Sequence, residues 1–101
     1  MELIETAVGS EADAERLAKG LLDAGLVACV SILPQRSIYR WKGKLCDERE
    51  WLLRCKTASL RVVAAAKWLR EQHPYEIAEV VSYSAIGHNP KYSAWLAGDG
   101  P

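Results

Sequence analysis

Three groups of residues in this sequence could do chemistry. His73-Pro74-Tyr75-Glu76 puts an imidazole, a phenol and a carboxylate side by side. Such a set can bind a metal ion or a polar ligand. The same run also has a purely structural reading. His73 complements a helix C-terminus, Pro74 stops the helix, and Tyr75 packs. Cys29 stands among small and aliphatic residues. A thiol there is either a soft ligand for copper or zinc or a small buried hydrophobe. Glu48, Glu50, Arg54 and Lys56 form either a ligand pocket or a charged strand face.

Other chemistry is poorly supported. Cys46 sits beside Asp47 and Glu48, and so lacks the positive surroundings a nucleophilic cysteine needs. Cys55 alternates with Trp51 and Leu53 and reads as core. No histidine lies at ligand spacing from a cysteine, which argues against a closed four-ligand metal centre within one chain. Gly87-His88-Asn89 is a weak second histidine signal. We find no nucleophile–base pair, phosphate loop or paired catalytic acids, so a non-enzyme is expected. Trp41, Trp51, Trp68 and Trp95 read as core and interface anchors.

These residues need elements to hold them. The longest is Leu26–Thr57, which reads as two strands, Leu26–Trp41 and Lys44–Thr57, turning at Lys42-Gly43. In the second strand Trp51, Leu53, Cys55 and Thr57 point one way, and Glu50, Leu52, Arg54 and Lys56 the other. About fifteen residues at ~3.3 Å each reach roughly 50 Å. A domain of about 100 residues has a radius of gyration near 13 Å. The hairpin must therefore bend, protrude or lie on another subunit, with Pro34 as the natural bend or bulge.

Around it, Leu3–Val8 reads as a strand. Ser10 caps a helix, with Asp13 as an acidic capping-box partner. Ala14, Leu17, Ala18, Leu21 and Leu22 make its apolar stripe, and Gly25 ends it. A second helix starts at Thr57 or Ser59 and stops at His73 before Pro74. Glu79–Ile86 has strand composition. Asn89-Pro90 opens a short last helix. The order β-α-β-β-α-β gives an α+β, ferredoxin-like sandwich with a long bent hairpin and a short C-terminal helix. The hairpin is apolar on both parities, so its second face is expected against partner subunits.

Composition bounds the rest. The 101 residues make one domain, half of them apolar, with 13 basic and 13 acidic residues and zero net charge. That disfavours nucleic acid and membrane surfaces as partners. Three cysteines without pair spacing do not form a disulfide framework. With no signal peptide pattern, a cytoplasmic location is expected. The tail Gly98-Asp99-Gly100-Pro101 reads as frayed.

Several phrases resemble one family. They are Leu26–Pro34 (LVACVSILP), Ser37–Lys44 (SIYRWKGK), Lys56-Thr57, His73–Glu76 (HPYE), and Tyr92 with Trp95. Together they are similar to the CutA divalent-cation-tolerance proteins, in order and spacing from about Thr6 to Leu96. Ser31, Ala78 and Ser82–Ile86 depart from the family pattern. The resemblance implies a homotrimer, similar in architecture to P-II signalling proteins, with hairpin strands pairing across subunits. It implies binding of divalent metal ions such as copper, or of a small ligand, at clefts between subunits. Cys29, His73 and Glu76 would be the metal candidates. Trp41, Lys56, Tyr75 and Tyr92 would line the cleft. A P-II-like signalling or interaction scaffold, with metal incidental, is the alternative.

Overall fold

The computed structural model describes residues 1–99. Its elements are β1 (Glu2–Val8), α1 (Glu11–Asp23), β2 (Cys29–Trp41), β3 (Lys44–Thr57), a 3-10 turn (Ser59–Arg61), α2 (Val62–Gln72), β4 (Val81–Ser84), α3 (Pro90–Ala94) and a π turn (Trp95–Asp99). The four strands form one sheet in the order β2-β3-β1-β4, every pair antiparallel. This is the ferredoxin-like α+β arrangement expected from the element order.

Local chemistry sets the boundaries. Ser10 accepts the Asp13 backbone N–H at 3.1 Å, as its capping role requires. The Asp13 side chain turns instead to Arg16. At the other end Leu26 N–H reaches Leu21 O and Gly25 N–H reaches Leu22 O, a Schellman closure. Gly25 takes the left-handed conformation this demands, with φ of 68°. Asn89 caps α3 by accepting Lys91 N–H, with Pro90 in the first turn. The hairpin turns on Lys42 and Gly43, both at positive φ, which matches the twist of the flanking strands.

Four expectations need correction. β2 begins at Cys29, not Leu26, because Leu26 and Gly25 are spent closing α1. Pro34 is not a bulge. It pairs with Trp51 in a register that runs one to one from Cys29–Lys56 to Trp41–Lys44. β2 is an edge strand, and the proline's missing N–H costs no ladder bond there. β4 spans only Val81–Ser84, paired with Glu2–Glu5 of β1, and farther along β1 the Ala7 carbonyl is taken by His73. The expected α2 start resolves into the 3-10 turn first, then the α-helix from Val62.

The core lies between the helices and one sheet face. Ile4, Val8, Leu53 and Cys55 meet Ala14, Leu17 and Leu21 of α1 and Ala65 and Leu69 of α2. Helix contact is close. A Cβ on Gly20 would lie 2.5 Å from Cη2 of Trp68. The opposite face carries Glu5, Arg54 and Tyr83, where Glu5 accepts from both Arg54 Nε and the Tyr83 hydroxyl at 2.9 Å. Beyond β1, which pairs only with Trp51–Thr57, the hairpin runs on alone. The molecule is accordingly 46 Å long and 25 by 21 Å across, with a radius of gyration of 14.3 Å.

Candidate functional site

The free part of the hairpin and the loop after α2 enclose a groove of about 900 Å³. Strand alternation explains half of the lining. Ser37, Tyr39 and Trp41 of β2 and Glu48 and Glu50 of β3 share the sheet face away from the helices. The other half comes from Pro74–Glu79. Pro74 forbids continuation of α2 and throws the chain across the end of β1.

His73 fixes this crossing. It is buried, with 9% of its surface exposed. Its Nε2 lies 2.9 Å from Ala7 O, and its Nδ1 accepts the Tyr75 backbone N–H at 3.0 Å. A carbonyl only accepts, so Nε2 carries the proton and the ring is the neutral tautomer. Burial lowers its basicity, partly offset by the Ala7 carbonyl. The ring stacks at a tilt on Tyr75, with centroids 4.9 Å apart. Both ring nitrogens are therefore engaged within the chain.

The groove's electrostatics are one-sided. Tyr75 donates its hydroxyl to Glu50 at 2.8 Å, and Tyr39 donates to Glu48 at 3.0 Å. The Glu48 acceptor is the main reason the Tyr39 phenol is pushed up to about 12. Burial first, then the Glu50 carboxylate, raises Tyr75 as well. Glu50 is only 8% exposed. Glu48, Glu50, Glu76 and Glu79 line the groove, and among the described residues no lysine, arginine or histidine does.

The structure sorts the sequence candidates into separate places. Trp41, Tyr75 and Glu76 line the groove. Lys56 and Tyr92 pair elsewhere, with the ammonium 5.9 Å from the ring centroid. Cys29 is half-buried and faces Lys56 at the opposite end of β2 from Trp41. It stands eight residues before Ser37, roughly 26 Å along the strand. Among the described residues, no group of three His, Cys, Asp or Glu side chains stands close enough to hold a metal ion. Within one chain Cys29, His73 and Glu76 do not form such a group. Sequence reasoning left Glu48 and Glu50 undecided and gave Tyr39 no role. The signal for Glu50 is cross-sheet: its face is charged by alternation, but the 74–79 loop covers it.

The CutA1 divalent ion tolerance protein family model matches residues 2–99. The chain belongs to the CutA family. It is 45% identical over 84 residues to the Protein CutA homolog of Xenopus laevis, covering 82% of this chain and 56% of that protein. It is 35% identical over 96 residues to the divalent-cation tolerance protein CutA of Thermus thermophilus, covering 94% and 93%. The chain thus spans about half the length of the animal CutA relatives it matches. Among solved structures, CutA from Synechococcus elongatus superposes with a TM-score of 0.93 at 37% identity, covering 99% of this chain and 89% of that one. The Thermus thermophilus Cut A1 structure gives 0.89 at 34% identity, with both chains fully covered. The ferredoxin-like assignment and the CutA resemblance both stand.

Proposed function

We propose that this divalent-cation-tolerance family member is a non-catalytic binding protein, that it works as a homotrimer, and that its clefts between subunits take up a small ligand. The groove between hairpin and 74–79 loop carries this reading. It is concave, partly aromatic and within the usual size of small-molecule sites. Self-association is supported by the hairpin. Edge strand β2 offers a run from Cys29 to Trp41 with no strand partner on its outer side among the described residues. Ile38, Tyr39 and Trp41 along it are exposed. Light scattering on the purified protein is expected to give three times the chain mass of 11.2 kDa. A monomer would sink the trimer.

A divalent cation is the second occupant. Cys29 supplies the soft donor that favours copper, and Glu76 is an exposed carboxylate. Their separation in one chain means that a shared site would draw on different subunits. His73 would have to give up a bond to take part. Copper calorimetry on metal-stripped protein tests this against a Cys29→Ala, His73→Ala double variant. Equal heats for both proteins would remove these residues from metal binding. In the scaffold alternative, a protein partner is retained equally by wild type and that double variant.

A further inference from the structure

We propose that the groove selects an organic cation, an ammonium or guanidinium compound, over neutral and anionic ligands; this rests on the reading of the groove as the ligand cleft. Four observations meet here. First, Glu48, Glu50, Glu76 and Glu79 line the groove and, among the described residues, no basic side chain does. An anion would enter against four glutamate side chains, with the Lys42 ammonium beside them only at the Trp41 end. Second, Tyr39, Trp41 and Tyr75 supply aromatic walls, whose faces are negative and attract cations. Third, a cation already uses one of them: the Lys42 ammonium lies 5.6 Å from the Trp41 ring centroid. Fourth, Glu50 is more than nine-tenths buried, and only its Oε2 is taken, by the Tyr75 hydroxyl. Its Oε1 has no hydrogen-bond partner among the described residues and is reached by solvent, since it is not among the buried polar atoms left unpaired. That solvent-facing oxygen, at the wall of the groove, is free to accept from a charged donor.

Size separates this ligand from a metal ion. A groove of about 900 Å³ is far larger than one ion needs. No three donor side chains converge among the described residues. An organic cation needs no such convergence. It can span the space, meeting rings on one side and dispersed carboxylates on the other.

Choline, its neutral isostere 3,3-dimethyl-1-butanol, and benzoate separate the outcomes. Each is titrated into the intact protein while amide and indole N–H shifts are followed by NMR. Choline is expected to move the Trp41 indole and the amides of residues 75–79 and to leave Lys56 and Tyr92 in place. The neutral isostere should bind about tenfold more weakly, the scale of a partly desolvated cation–π contact. Glu50→Gln keeps an acceptor for Tyr75 and should weaken choline alone. Glu76→Gln, at an exposed position, is the second variant if Glu50→Gln perturbs folding. Equal binding of choline and its isostere, or tighter binding of benzoate, overturns the cation preference and leaves the ligand cleft intact. No shift at the groove with any of the three overturns both.

Discussion

Tyr75 donates its hydroxyl to the buried carboxylate of Glu50, so one hydrogen bond ties the loop after α2 to the long strand β3. Tyr75→Phe keeps the ring and removes the donor. Glu50 then loses its hydrogen-bond partner in a mostly enclosed place. A loss of about 1–2 kcal/mol is expected from a charge-assisted bond at a partly solvated site. Urea titration would measure it. Amide exchange should quicken in residues 75–79 before it changes in Leu53 or Leu69. An unchanged midpoint with unchanged exchange would mean that the bond contributes nothing.

The His73 ring is expected to be neutral, with its proton on Nε2, at pH 7. Two-bond nitrogen–proton correlations read this directly. A proton on Nδ1 would contradict both hydrogen bonds assigned to the ring. His73→Ala should cost about 2–3 kcal/mol, because it orphans the Ala7 carbonyl and the Tyr75 N–H and opens a void beside Tyr75.

Acid should weaken the open sheet face. The Arg54 guanidinium first, then the Tyr83 hydroxyl, hold the Glu5 carboxyl below the usual carboxylate range. Its folded value is depressed relative to the unfolded chain. The stabilisation is therefore complete above the unfolded value of about 4.3 and is lost as pH falls through the folded one. Arg54 is well exposed, so the pair contributes no more than about 1 kcal/mol. Glu5→Gln should flatten the acid limb of the stability profile below pH ~5. A limb as steep as in wild type would place the acid sensitivity in other groups.

Gly20→Ala sets two effects against each other. Alanine favours the helix by roughly 0.5–1 kcal/mol. The added methyl collides with the rigid indole of Trp68. Overpacking at such a contact costs ~1–3 kcal/mol, so a net loss of about 1 kcal/mol is expected. Trp68→Leu in the same background should restore the alanine's advantage. Stability above wild type for Gly20→Ala alone would mean that the helices part freely.

Much of the fold was legible because its signals are local. The bounds of β3 follow from alternation and the Lys42-Gly43 turn. The caps of α1 and α3 follow from Ser10, Gly25 and Asn89-Pro90. What was not legible depends on partners distant in sequence. Pro34 looks like a break until β2 is known to be an edge. Glu79–Ile86 looks like a full strand until only four of its residues are seen to pair with β1. The site divides the same way. Trp41 and Tyr75 meet in the groove as grouped, and Glu76, grouped instead with Cys29 and His73, joins them there. Glu50 reads as one charge on a strand face until the loop after Pro74 folds over it. Cys29 and Lys56 face each other at the far end of the β2–β3 ladder, and Tyr92 of α3 meets Lys56 there, placements that register and tertiary contact alone reveal.

The sheet order also has a kinetic meaning. The β2–β3 hairpin joins residues near in sequence and can close early, on the scale of microseconds to milliseconds. Central β1 is made first, but its two flanking strands arrive much later. β3 pairs with it across some fifty residues, and β4 only near the end of the chain. During synthesis β1 therefore waits with open edges while a finished hairpin stands beside it. β4, four exposed residues long, closes the sheet last. Crowded nascent chains would be most prone to mispair at that strand-shaped vacancy.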